Sequence, residues 1–134
     1  MPTILQIANA DRNLSKFTRA LKETKLEEAI SGMGPFTLLA PVNLAFSELG
    51  SAPFEELLKN GNLEKFSQML SSLILREKRM VKNFLNGQRL KALNGKELSV
   101  TVNNGEVRIN GAKILSRDRQ GSNGVLHSID IAGL

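Results

Sequence analysis

Apolar residues in the first half of the chain recur at steps of three and four, the spacing that places them on one face of a helix. The first such stripe ends before Gly32 and Gly34, since glycines commonly follow the ends of helices. It predicts a helical segment over residues 14–30. Its apolar positions are Leu14, Phe17, Leu21, Leu26 and Ile30.

Two further helices are predicted before residue 75. Pro53 suits a first helical position, where a missing N–H leaves no bond unmade, and Phe54 then faces inward. Asn62 precedes another apolar stripe, which includes Phe66 and Leu70, and is predicted to cap that helix with its side chain.

The second half alternates apolar and polar residues, the pattern of strands, over 97–102, 106–110 and 124–131. Asn-Gly pairs separate these runs, and Asn-Gly tolerates the positive φ that tight hairpin turns require. Helices followed by a hairpin-rich sheet predict one α+β domain over residues 1–134. The pairs lie at 86–87, 94–95, 104–105 and 110–111.

The segment 36–46, FTLLAPVNLAF, combines a strand with a helix. Its first five residues are typical of a short buried strand, which ends at or before Pro41 because proline cannot donate to a ladder. Asn43 is predicted to cap the helix that follows, its side-chain oxygen accepting from the amide of Ala45 or Phe46.

This segment resembles the first signature box of the fasciclin domain family, Thr-x-Phe-Ala-Pro-Thr-Asn-x-Ala-Phe. The stretch 123–130, NGVLHSID, resembles the second box, Asn-Gly-Val-Ile-His-x-Ile-Asp. The hairpin region between the boxes is also similar, so the resemblance covers essentially the whole chain. The matches in the first box are Thr37, Ala40, Pro41, Asn43, Ala45 and Phe46.

The resemblance implies a fasciclin-type fold, with helices packed on a wedge-shaped, hairpin-rich β-sheet or sandwich. It also implies a non-enzymatic module that binds a protein or glycan ligand in cell adhesion, surface attachment or extracellular-matrix contact. The boxes imply structural roles for Thr37, Pro41, Asn43, Phe46, Asn123, Gly124, His127 and Asp130.

The chain also departs from the family pattern. Many animal members carry Tyr-His after the central helix, a segment associated with integrin-type adhesion. Ser72 and Leu73 take those places, and the chain has no Tyr, so integrin-type binding through that motif is not expected. Leu39 and Val42 replace the common Phe and Thr of the first box.

The positive charge is concentrated in the second half. Residues 1–75 hold 7 Lys and Arg against 8 Asp and Glu, and residues 76–134 hold 11 against 5. A solvated surface explains this, and the alternative is a patch that binds polyanions, an acidic glycan or nucleic acid. Six Phe without Tyr or Trp disfavour single-stranded nucleic acid, which stacks on exposed rings. The patch would comprise Arg76, Lys78, Arg79, Lys82, Arg89, Lys91, Arg117 and Arg119.

His127 is the only histidine, and it can be interpreted as a general base, a metal ligand or a buried structural residue. Zinc sites take three or four His, Cys or carboxylate ligands, and the chain has no cysteine. We therefore expect His127 on the inner face of the last strand, hydrogen-bonded to the backbone or a buried polar group. We expect no catalytic residues and no cofactor, because Thr37, Asn43 and Asp130 suit side-chain anchors of turns. An enzyme would need distant acids to converge on His127.

The compartment is implied by the resemblance alone. No segment approaches the roughly 20 apolar residues of a membrane span, and the N-terminus lacks the pattern of a secretory signal. The family implies a secreted or cell-surface location, and an intracellular location stays open.

Overall fold

The computed structural model describes residues 1–47, 54–59 and 61–131. Within these ranges helices dominate the first half and antiparallel strands the second, so the predicted α+β class is confirmed. The helices are α1 (Ile4–Asn9), α2 (Ser15–Glu23), α3 (Asn43–Ser47), α4 (Phe54–Leu57) and α5 (Leu63–Ser71). The strands are β1 (Phe36–Pro41), β2 (Ile74–Leu75), β3 (Arg89–Lys91), β4 (Glu97–Asn103), β5 (Glu106–Ile109), β6 (Ala112–Lys113), β7 (Arg119–Gly121) and β8 (Gly124–Ile129).

The strands of the described ranges form two four-stranded sheets. The first has the order β2-β1-β8-β7, with β1 and β8 parallel and the outer pairs antiparallel. The second is the antiparallel meander β3-β4-β5-β6. An antiparallel bridge between Ile114 and Ile129 joins the two sheets beyond the end of β6.

The central pair β1·β8 is covered on both faces. All residues of β8 are buried, as are all residues of β1 after Phe36. Parallel strands are typically enclosed in this way and are apolar on both sides. The exceptions are the polar side chains of Thr37, His127 and Ser128, which are therefore forced into the interior.

The hairpin turns follow the Asn-Gly prediction. Asn104 and Gly105 have φ of 53° and 81° between β4 and β5, and Asn110 and Gly111 have φ of 50° and 88° between β5 and β6. Both central residues of a type I′ turn need positive φ, which glycine and asparagine supply most readily. The pair at 94–95 joins β3 to β4, whereas the pair at 86–87 leads into β3 without joining two strands.

The helix predicted to run through residues 14–30 is shorter than expected. It ends at Glu23, where the Thr24 hydroxyl donates to the carbonyl of Ala20 at 2.7 Å. Lys25 then takes a left-handed conformation with φ of 62°, which breaks the helical path. The chain continues as a 3-10 turn and still buries Ile30, so the apolar spacing was right and the helical continuity was wrong.

Asn62 precedes α5 as predicted, but its side chain does not cap that helix. Its amide Nδ2 donates instead to the carbonyl of Glu56 at 2.9 Å, which ties the start of α5 back to α4. Pro53, predicted at a first helical position, lies outside the described residues, and the described part of α4 begins at Phe54.

We predict that Gly124→Ala strongly destabilises the fold and that Gly32→Ala does not. A Cβ on Gly124 would meet the carbonyl of Phe36 across the β1·β8 pair, where neither backbone can move alone. Overpacking of this kind costs about 3 kcal/mol. A Cβ on Gly32 would meet no atom within 4 Å. Urea unfolding of both variants tests this, and equal midpoints would contradict it.

Candidate functional site

The two signature boxes lie side by side because β1 and β8 are neighbours. In the parallel register Thr37 is opposite Val125 and Leu39 is opposite His127. The polar side chains of the boxes therefore lie on this pair of strands or close to its ends. They reach outward to other segments of the chain, and those contacts define the candidate site.

Thr37 holds the segment that follows β2. Its hydroxyl donates to the carbonyl of Glu77 and accepts from the amide of Arg79 at 2.8 Å. Thr37 is completely buried, so both main-chain groups are paired where water cannot reach the hydroxyl.

His127 holds the same segment from β8. Its Nε2 lies 2.7 Å from the carbonyl oxygen of Arg79, and its Nδ1 lies 3.1 Å from the amide nitrogen of Asp118. A carbonyl only accepts and an amide only donates, so the neutral imidazole carries its proton on Nε2. The ring is fully buried and meets Phe84 edge-on, with 5.7 Å between ring centroids.

The pKa of His127 is lowered from its ordinary value. Burial is the main cause, since it disfavours the charged ring, while the Arg79 carbonyl and the Asp118 carboxylate act in the opposite direction. The Asp118 Oδ1 lies 3.9 Å from Nδ1 and accepts instead from the amide of Val81 at 2.8 Å. His127 is thus a neutral link between two main-chain segments.

Asn123 joins two more segments of the chain to β8. Its Oδ1 accepts from the amide of Ile4 at 3.0 Å, and its Nδ2 donates to the carbonyls of Ile30 and Gly32, both at 2.9 Å. The side chain is buried. It therefore satisfies the start of α1 and the loop before β1 at once.

Asn43 does not cap its own helix, and the prediction that its oxygen accepts from Ala45 or Phe46 is wrong. Its Oδ1 accepts from the amide of Lys16 at 2.9 Å, in the first turn of α2. Its Nδ2 donates to the Arg12 carbonyl and the Ser15 hydroxyl, both at 3.0 Å. Asn43 is the first residue of α3 and so serves the N-terminus of a different helix.

The remaining box residues also stabilise structure. Asp130 accepts from the amide of Lys113 at 2.8 Å, at the end of the second sheet. Pro41 ends β1, as predicted. Phe46 packs edge-on against Phe54 and Phe66, with centroids 5.3 and 6.2 Å away. Gly124 admits the Phe36 carbonyl where any side chain would clash.

These hydrogen bonds occupy the donors and acceptors that the polar box residues would need for catalysis or metal binding. Throughout the described ranges, every buried side-chain nitrogen or oxygen has a hydrogen-bond partner. In the same ranges, no three His, Asp or Glu side chains cluster as metal ligands do. Asp118 and Ser128, whose hydroxyl accepts from the amide of Ser116 at 2.9 Å, also belong to this bonding network and were not predicted from the sequence. Ser128 takes the unspecified position of the second box and Asp118 lies outside both boxes, so no pattern pointed to either.

The residues of the predicted basic patch lie in separate parts of the structure. The Lys78 ammonium contacts Gln120 at 2.8 Å, so the basic loop after β2 lies beside β7. Arg89 and Lys91 lie on β3 in the other sheet. Three members of the set face an acid: Arg79 with Glu77 at 3.0 Å, Arg89 with Glu97 at 3.5 Å and Arg119 with Asp11 at 2.8 Å.

Three other cations of the set, Arg76, Lys82 and Arg117, are exposed. Arg76 and Lys82 lie in the connection from β2 to β3, and Arg117 lies between β6 and β7. The bond from the Val81 amide to Asp118 brings these two connections together. The places that the family gives to Tyr-His are interior here, since Ser72 and Leu73 are buried. No helix among the described residues is long and apolar enough to cross a bilayer.

Comparison with known proteins identifies relatives of this fold. The family model "Fasciclin domain" matches residues 12–132. Protein sll1483 of Synechocystis sp. is 35% identical over 128 residues, which cover 96% of this chain and 71% of that protein. Human periostin is 33% identical over 118 residues, covering 88% of this chain and 13% of periostin.

Two other matches place the chain among larger proteins. Rabbit transforming growth factor-beta-induced protein ig-h3 is 28% identical over 127 residues, covering 95% of this chain and 18% of that protein. The solved FAS1 domain pair of the insect cell adhesion molecule Fasciclin I superposes with a TM-score of 0.75 at 16% identity. That match covers 97% of this chain and 50% of the pair. The chain thus spans only part of each of these proteins.

We predict that Asn123→Ala destabilises the protein by about 3 kcal/mol, because it leaves the buried amide of Ile4 and two carbonyls without partners. Asn9→Ala is the matched control, since Asn9 is exposed at the end of α1. Chemical unfolding gives both values. A difference between the two variants within about 0.5 kcal/mol would contradict the role of Asn123.

We predict that stability falls as the pH is lowered from about 8 to about 5, and that His127 is responsible. Its folded-state pKa lies below the ordinary value of about 6.5, so the unfolded chain binds the proton more readily. The stabilisation is complete above pH 6.5 and is lost as the pH falls through the folded-state pKa.

Thermal melting across this pH range measures the effect. His127→Asn, which can still accept from the Asp118 amide, is expected to melt lower at pH 8 and to show a flatter pH profile. His127→Gln, which can still donate to the Arg79 carbonyl, is a second variant should the first not fold. Parallel profiles for the wild type and a folded variant would contradict the assignment.

Proposed function

Because the chain belongs to the fasciclin domain family, as its two boxes predicted, we propose that it acts as a non-enzymatic interaction module. Its role is cell adhesion, surface attachment or contact with an extracellular matrix, through a protein or glycan ligand. Residues 1–134 act as one such domain. The proposed location is secreted or at a cell surface.

The observation that carries this proposal is the complete pairing of the buried polar side chains in the described ranges. The side chains of Thr37, Asn123 and His127 form their hydrogen bonds with main-chain groups of distant segments. A general base needs a free lone pair within reach of a substrate, and Nδ1 of His127 is occupied by the amide of Asp118. The boxes therefore support a rigid scaffold whose surface does the binding.

The similarity to Fasciclin I, an insect cell adhesion molecule, supports the same role at the level of the fold. A shared fold does not imply a shared binding partner, because proteins with one fold bind many different ligands. The matched segments of periostin and ig-h3 are also small parts of those proteins. We therefore propose the class of function and not a ligand taken from a relative.

Binding to a panel of extracellular-matrix proteins and of neutral and sulfated glycans tests the proposal. We expect saturable binding of the immobilised chain to at least one panel member, and we expect it to persist in about 1 M salt, where the Debye length is about 3 Å. Biolayer interferometry measures both. The absence of binding to every protein and glycan would contradict the proposal.

Polyanion binding is the alternative, favoured by the exposed cations Lys82 and Lys91. It predicts retention on heparin or duplex DNA that disappears in 1 M salt, since such binding depends on counterion release. The double variant Lys82→Glu/Lys91→Glu would then elute earlier from heparin. If this were the only binding observed, the alternative would replace the adhesion role.

A further inference from the structure

Three exposed apolar side chains line one cavity. Met1, Met33, Leu44, Leu85, Leu115 and Ile131 are the large apolar residues that the described part of the chain exposes. Of these, Leu44, Leu115 and Ile131 are 71, 47 and 38% exposed and surround a cavity of about 340 Å³. Scattered surface leucines are ordinary, but a cluster around a concavity marks a contact surface.

The cavity is built on fixed backbone. Leu44 lies in the first turn of α3, where Ala45 and Phe46 point into the core. The amide of Leu115 donates to the carbonyl of Ser128 at 2.8 Å, which ties the segment after β6 to β8. Ile131 lies two residues after the end of β8. Because separate elements hold the three side chains, the cavity is preformed, which lowers the entropy lost on binding.

A basic groove adjoins the cavity at Leu115. This groove, of about 290 Å³, is also lined by Glu106, Lys113 and Arg117. Glu106 accepts from Arg108 at 2.7 Å and lies 3.3 Å from the Lys113 ammonium, and these two cations lower its pKa. The acid is thus neutralised within the groove, and Arg117 is exposed beside it.

The other end of the cavity has the opposite sign. Asp130 lines it, and its Oδ1 accepts from the amide of Lys113. A ligand with a carboxylate near Asp130 would be repelled, whereas the same carboxylate near Arg117 would be attracted. The charge along the surface therefore changes from negative, beside the apolar cavity, to positive, in the basic groove.

We propose that the docking surface formed by Leu44, Leu115, Ile131 and Arg117 binds a short segment of a partner protein. That segment carries an apolar side chain, which fills the cavity, next to a carboxylate, which pairs with Arg117. The inference rests on the proposed interaction role and names a surface for it. Charge complementarity argues for this occupant, since a carboxylate beside the inserted apolar side chain would pair with Arg117 in the basic groove. A second copy of the chain is a separate outcome of the test below. Concave apolar residues also suit an inserted side chain better than a bilayer, which needs protruding ones.

Selection from a random peptide library on the whole immobilised chain tests the proposal. We expect the selected peptides to combine an apolar residue with a nearby Asp or Glu. A selected peptide, labelled with fluorescein, should bind Leu115→Ser and Arg117→Glu about tenfold more weakly each, as interface anchors typically do. Leu85→Ser and Lys65→Glu, the latter in α5, are matched controls at exposed positions outside this surface, and should bind as the wild type does.

A charge swap sharpens the test. Replacing the acid of the selected peptide with lysine should abolish binding to the wild type and restore it to Arg117→Glu. Selected peptides that bind the Leu115→Ser and Arg117→Glu variants as well as the wild type would overturn the proposal. So would a wild-type dimer in sedimentation that Leu115→Ser dissociates, or flotation with phosphatidylserine vesicles that depends on Leu115.

The surface and the proposed function can fail separately. If a panel protein binds the wild type and the double variant Leu115→Ser/Arg117→Glu equally well, this surface is wrong and the interaction role stands. If the peptides behave as expected while the panel shows only salt-sensitive polyanion binding, the adhesion role is wrong and the surface stands.

Discussion

The structure depends on side chains that pair main-chain groups far away in sequence. A buried N–H or C=O without a partner costs about as much free energy as one or two lost hydrogen bonds, so irregular segments can be enclosed only if something bonds them. Asn123 reaches Ile4, Ile30 and Gly32, and Thr37 reaches Glu77 and Arg79. These bonds allow non-regular chain to pack against the central strands.

The parallel pair β1·β8 explains why these polar residues are where they are. Both strands are enclosed, so each polar side chain on them must find a partner inside the protein. The convergence is clearest around residues 77–81, where Thr37, His127 and Asp118 together bond four main-chain groups. The loop is thereby fixed to the central strands although its side chains stay exposed or half-buried, and this is how a short chain obtains a rigid surface.

The sequence predicted features whose cause is local and failed where the cause is distant. Asn104-Gly105 sets its own φ, so the hairpin was predictable. Strand parity placed His127 on an inner face, but the carbonyl of Arg79 as its partner depends on tertiary structure. Asn43 has the sequence of a local cap, and only the packing of α2 against α3 gives it Lys16 instead. The capping box of Thr3 and Gln6 is a local feature that the Thr-x-x-Gln spacing indicates by itself.

The same arrangement separates fold from recognition within a single box. In the segment 42–46, Ala45 and Phe46 are buried and Asn43 is bonded to α2, while Leu44 alone turns outward beside Leu115. The inward residues are required by core packing and by the bond to α2, so we expect similar residues in any chain that folds this way. The side chains of Leu44 and Arg117 are exposed at the surface instead. Relatives that share the boxes can therefore differ in what they bind, because the buried box residues hold the fold and a shared fold does not fix the binding partner.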